Sequence, residues 1–140
     1  MKTLILTAAA ILFTVNTVTA QKIKESEVPK AVTTSFNTNF NGVKSKSWEK
    51  EKDGNYEVDF DLNKTKNSAT FKADGTLIET ETEIAISELP KAASDYLAKN
   101  YNGKKVKEAA KIVDAEGNVK YEAEIDNKDL LFDQHGNFIK

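Results

Sequence analysis

Ser26-Glu27-Val28-Pro29-Lys30-Ala31 returns as Ser87-Glu88-Leu89-Pro90-Lys91-Ala92, sixty-one positions further along the chain. The correspondence continues outward. Asn39-Phe40-Asn41-Gly42 matches Asn100-Tyr101-Asn102-Gly103, and Tyr56-Glu57-Val58-Asp59-Phe60 matches Tyr121-Glu122-Ala123-Glu124-Ile125. Phe71-Lys72-Ala73-Asp74-Gly75 matches Phe132-Asp133-Gln134-His135-Gly136. One structural unit is therefore written twice, over residues 28–84 and 89–140, and reading either copy reads the fold.

Within the first copy, Pro29 suits a helix start, where its missing N–H is not needed, and it pushes Val28 into an extended conformation. Val32, Phe36 and Phe40 then recur every four residues, with Thr33, Thr34, Asn37 and Thr38 on the other faces, and Asn41-Gly42 stops the pattern. That is an amphipathic helix of about three turns. Its Thr and Asn residues have poor helix propensity, so the helix depends on packing its apolar stripe against something.

The expected partner is a sheet. Val43 to Glu51 reads as a strand and Asp53-Gly54-Asn55 as a turn, after which Tyr56, Val58, Phe60 and Leu62 alternate with Glu57, Asp59 and Asp61. Such alternation belongs to strands with one buried and one wet face. A polar loop from Asn63 to Asn67, a short strand from Ser68 to Lys72, the Asp74-Gly75 turn and a strand from Thr76 to Ile84 complete the unit. The second copy repeats it: Ala93, Leu97 and Tyr101 form the helix stripe, and Val106 to Val113 the first strand. Val119 to Ile125 alternates like its counterpart, and Leu130 to Phe132 and Asn137 to Ile139 finish the meander.

A lone helix over four short strands buries little, whereas two such units joined edge to edge cover an exposed edge and share apolar surface. The expected fold is α+β: a tandem repeat of a helix plus four antiparallel strands, giving a sheet of about eight strands with both helices on one face. The opposite face is left open and, by strand parity, dense in Glu, Asp and Lys.

Before the repeats, Met1-Lys2, an apolar run from Leu4 to Val15 and Val18-Thr19-Ala20 have the layout of a secretory signal peptide over residues 1–20, cleaved between Ala20 and Gln21. The run is too short for a comfortable bilayer span, so no membrane association is expected after its removal. The mature domain is then 21–140, and Gln21 to Glu25 reads as a frayed lead-in. No cysteine is present, which excludes disulfides, thiolate metal sites and a lipid-modified cysteine. All 20 basic residues are Lys; loss of Lys2 leaves 19 against 22 acids, a net charge of −3. Near balance and a lack of guanidinium groups argue against nucleic acid as a partner.

Several patterns invite chemistry, and a bland explanation competes with each. His135, the single histidine, sits in a predicted turn and lacks partners for a triad or metal cluster. Asp59-Phe60-Asp61-Leu62-Asn63 is similar to the start of a calcium loop, but Lys64 stands where glycine is required and Thr70 where the bidentate Glu should be. The rows Glu57/Asp59/Asp61, Glu79/Glu81/Glu83 and Glu122/Glu124/Asp126 read as the solvated face of a sheet, paired with lysines across strands, where each pair contributes about 0.2–1 kcal/mol. No cofactor is called for. Simple alternation places Trp48 with Lys44 and Lys46 on the open face, where an exposed indole would be a recognition hot spot. A bulge in the strand would instead return it to the core, and bulges are frequent near sheet edges.

The Pro-Lys-Ala helix starts (Pro29, Lys30, Ala31; Pro90, Lys91, Ala92), the Phe36 stripe, the Trp48 strand, Gly54 before Tyr56-x-Val58, and the Phe71, Asp74-Gly75 turn resemble the PepSY-like domains of exported bacterial proteins. Tyr121, Phe132 and Gly136 carry the likeness in the second copy. That family is related in fold to the β-lactamase inhibitory protein. The resemblance implies a tandem helix-plus-sheet architecture and an exported binding or inhibitory role without catalysis. It departs from the inhibitor in its Lys- and carboxylate-rich surface, and in having Ala109 or Ala110 near the place of Trp48.

The resulting expectation is a non-enzymatic binding module in the periplasm or secreted, acting on a protein partner, with a peptidase or other envelope enzyme as a candidate target. Candidate contact residues are Trp48, Lys44, Lys46, Glu57, Asp59, Glu122 and Glu124. The alternative is a carrier of a small apolar ligand held between helices and sheet, where the Ala-rich second stripe leaves room.

Overall fold

The computed structural model describes residues 20–140, so the signal-peptide reading falls, apart from Ala20 at its boundary, outside the described residues. Strands β1 (Gln21–Ile23), β2 (Ser45–Lys50), β3 (Tyr56–Leu62), β4 (Thr65–Phe71), β5 (Leu77–Ile84), β6 (Glu108–Asp114), β7 (Val119–Ile125) and β8 (Lys128–Asp133) form one eight-stranded sheet. Neighbours in sequence are neighbours in space, and every pairing is antiparallel. Helices α1 (Lys30–Asn39) and α2 (Lys91–Asn100) each follow a 3-10 turn and pack over the apolar face. The fold class expected from the repeat is the one observed.

Each helix lies over a core of its own. Val32 and Phe36 of α1 pack with Trp48, Tyr56, Val58, Phe60, Ala69 and Phe71. Ala93 and Leu97 of α2 pack with Ala109, Ala123, Ile125, Leu130 and Phe132. Between the two, the helix-side residues of β5 are Thr80 and Thr82, and Thr82 donates its hydroxyl proton to Asn67 Oδ1 at 2.7 Å. A polar seam therefore separates two apolar clusters beneath a continuous sheet.

The strand count is right, but its division is not the expected four and four. β1, expected to be frayed, supplies the eighth strand, and Asn137–Ile139, expected to be a strand, is held by the isolated Phe132–Phe138 bridge and by backbone hydrogen bonds with Leu131 and Asp133. The registers explain both results. Ile23 faces Trp48 as Ile84 faces Ala109, while Leu77 faces Phe71 as Phe138 bridges Phe132. β5 thus closes the first unit with its first half and opens the second with its last, and β1 corresponds to that last half alone.

Turns account for the other boundary shifts. Asn63 and Lys64 take φ of 54° and 66°, and Asp126 and Asn127 take 54° and 59°, so both hairpins close through two left-handed residues. Paired positive φ matches the right-handed strand twist, and β4 consequently starts at Thr65 rather than Ser68. Gly75 and Gly136 hold the turns that tuck beneath the helix starts. A Cβ on Gly75 would lie 2.6 Å from the Ala31 carbonyl oxygen, and one on Gly136 would lie 2.8 Å from the Ala93 nitrogen. The repeated Pro-Lys-Ala and Gly motifs are therefore two sides of one contact, made once in each unit.

Candidate functional site

β2 carries a bulge between Ser45 and Ser47, which face Phe60 and Asp59 of β3. The extra residue reverses side-chain parity from there on, so Trp48 points beneath α1. It is 3% exposed and meets Phe36 edge to face, with ring centroids 5.6 Å apart. The exposed reading of Trp48 is overturned, and it is removed from the contact residues. Its indole Nε1 has no hydrogen-bond acceptor among the described residues. Lys44 also leaves the open face, since it lines a hollow between α1 and β2 with Asn37 and Trp48. Lys46 is bound to Asp61 at 2.8 Å.

The remaining four candidates come together. Glu57, Asp59, Glu122 and Glu124 line a shallow concavity of about 180 Å3 on the sheet face opposite the helices. Register builds it from consecutive rows. Asp59, Ser68, Glu81 and Ile112 follow one another across β3, β4, β5 and β6. Glu83, Ala110 and Glu122 form the next row across β5, β6 and β7. Ala110, which lines the concavity, is buried although it lies on the open face, and so is Ile112, which neighbours Glu81 across β5 and β6.

That setting changes the acids. Glu81 is pushed up to about 8, first by burial and then by the charges of Glu122, Glu57, Glu79 and Asp129. Glu122 rises to about 7, again from burial first, followed by Asp129, Glu124 and Glu57. Glu57 is raised by burial and partly relieved by the Ser68 hydroxyl. None of these three has an ion-pair partner among the described residues. The lysines are engaged at the margin: Lys66 with Glu83 at 3.5 Å and Glu108 at 3.4 Å, and Lys107 with Glu124 at 3.2 Å. The expectation of a uniformly wet, lysine-paired face fails at the centre, where acids outnumber the ammonium groups that reach them.

Glu81 was the residue missed. Its alternation with Glu79 and Glu83 was legible, but its central place in the sheet, between β4 and β6, follows only from β5 serving both units. The turn acids are committed elsewhere. Asp133 Oδ1 accepts the backbone N–H of His135 at 2.8 Å and of Asn137 at 2.9 Å. Among the described residues, no group of His, Asp and Glu is arranged to hold a metal ion.

This architecture places two helices on one face of a meander and leaves the other face open and concave. The sequence matches the family described as "Putative beta-lactamase-inhibitor-like, PepSY-like" over residues 15–65 and 54–140, and the chain belongs to that family. The two matches overlap over residues 54–65, within the first unit. Among solved structures, a DUF2874 family protein from Bacteroides uniformis superposes with a TM-score of 0.67 at 18% identity, over 80% of this chain and 86% of that one. A protein from Bacteroides eggerthii, named among "putative periplasmic proteins", gives 0.66 at 17% identity, over 81% and 86%. A BLIP-like protein from Bacteroides fragilis gives 0.60 at 20% identity, over 80% and 84%. At such identities the likeness is one of fold. No curated protein matches the chain.

Proposed function

We propose that the protein is an exported, non-catalytic binding module that takes a basic segment of a protein partner into the concave open face of its sheet. The observation that carries this reading is the trio Glu57, Glu81 and Glu122, clustered around the buried Ala110 without ammonium partners among the described residues. An ammonium or guanidinium group placed there meets three carboxyl groups, and its stem covers Ala110. Export is supported by the signal-like start of the chain and by the periplasmic name of the Bacteroides eggerthii relative. The family's inhibitor-like description supports an envelope enzyme, such as a peptidase, as the target.

The mechanism includes proton release. Glu81 and Glu122 hold protons near neutral pH because burial and their neighbours disfavour charge. An arriving cation reverses that preference and expels them. Calorimetry of a Lys/Arg-rich dodecapeptide in two buffers of different ionisation enthalpy at pH 7.5 should show proton release on binding. Glu57→Gln, Glu81→Gln and Glu122→Gln together should weaken binding about tenfold or more. Equal affinity of the triple variant, or binding without proton release, counts against the proposal.

A further inference from the structure

A second groove lies on the helix side of the sheet, remote from the acidic face, and the duplication supplies its internal control. In the first unit, Phe36, Phe40, Trp48 and Phe60 pack against one another between helix and sheet, with centroid separations between 4.6 and 5.6 Å. The corresponding residues of the second unit are Leu97, Tyr101, Ala109 and Ile125, and three of these replacements are smaller. Beside them a hollow of about 250 Å3 opens, with Leu89, Leu97 and Ile125 as its floor and Ile86 and Val106 on its walls. Ile86 is 44% exposed, a large apolar side chain left in water at the rim.

The first unit has a hollow of about 290 Å3 in the same place, with the opposite chemistry. There Glu25 occupies the position of Ile86, Asn37 that of Ala98 and Ser45 that of Val106, and Ser45 donates its hydroxyl proton to Glu25 at 2.9 Å. Charge changes as well. Val43 of the first groove becomes Lys104 of the second, so a mouth bearing both Glu25 and Lys44 is replaced by one lined by Lys104 and no carboxylate. Lys104 is held by Asp126 from outside the groove at 2.5 Å, and the adjacent Lys105 has no ion pair among the described residues.

We propose that this groove of the second unit binds a free single-chain anionic amphiphile, its alkyl chain over Leu97 and Ile125 and its carboxylate at Lys104. An apolar floor draws the chain, and Lys104, whose charge is shared with Asp126, together with the adjacent Lys105 selects the head group. The site is independent of the acidic face, so the two readings stand or fall separately.

Sodium decanoate, kept below its micellar range and titrated into protein with labelled methyl groups, tests this. Saturable one-to-one shifts are expected at Leu89, Leu97 and Ile125, while the Trp48 indole signal stays in place. Ala98→Trp, a substitution at an exposed rim position, should weaken binding about tenfold or more by occupying the groove. Lys104→Gln should weaken decanoate about threefold and leave decanol unchanged. Glu81→Gln should have no effect. The proposal is overturned by the absence of saturable shifts, by decyltrimethylammonium binding as tightly as decanoate, or by association with phosphatidylglycerol vesicles alone.

Discussion

Glu81 is held at the centre of the sheet with its proton retained to about pH 8. In the unfolded chain the same carboxyl titrates near 4.5, so the folded state binds this proton more tightly. Its contribution to stability is therefore complete below about pH 4.5 and is lost as pH rises through about 8. Glu122 acts in the same direction, its contribution declining between about pH 4.5 and about pH 7. Urea unfolding followed between pH 5 and pH 9 should show a falling midpoint, and Glu81→Gln should raise stability at pH 8.5 and flatten the profile. An unchanged profile would remove the desolvated acid from the account. Trp48 yields a prediction of another kind. Buried among Phe36 and its neighbours, it should cost about 3–5 kcal/mol on truncation to Ala, read as a lowered urea midpoint. Its emission should be blue-shifted and resistant to iodide quenching. Simple alternation alone pointed it outward, and the bulge weighed against that reading in the sequence is the one observed; its position between Ser45 and Ser47 leaves no compositional mark.

Among the elements, the helices and alternating strands were legible because their periods are strong, and the boundaries that shifted were those set by turn geometry and strand partnership. Asn63-Lys64 gave no glycine to announce a two-residue hairpin, yet both residues adopt the left-handed conformation. β1 contains only three residues and reads as polar; it is a strand because β2 offers an edge, a fact local propensity cannot carry. The contact between the Asp-Gly turn and the Pro-Lys-Ala helix start is testable at one position. Gly75→Ala meets both a φ of +88° and the Ala31 carbonyl, so it should destabilise by more than about 1 kcal/mol, measured by thermal or chemical unfolding. Gly136→Ala should behave alike in the second unit, whereas Gly54→Ala, with open space around its Cβ position, should lose less.

For the whole molecule, duplication produces one sheet, two cores and two different faces. The first core is built on Phe36, Trp48, Phe60 and Phe71, while the second relies on Ala93, Leu97, Ala109 and Ala123 with Phe132. Less apolar area under α2 implies a lower local stability. Native-state hydrogen exchange in rising urea should release α2 and β7 before α1 and β3, with β5 protected longest because it is hydrogen-bonded to both units; simultaneous release of all elements would show a single cooperative block. The acidic concavity arises at this scale too. Its carboxylates come from β3, β5 and β7, so neither copy contains it, and the sequence displayed its members as three unrelated wet strands. The most direct test of the binding proposal is a carbon-detected NMR titration of the Glu81 side-chain carboxyl, alone and with the basic dodecapeptide. Titration near pH 8 in the free protein and a fall of at least about one pH unit with peptide bound are the predicted results. A carboxyl that titrates near 4.5 in the free protein, or one whose midpoint the peptide leaves in place, would contradict the proposal.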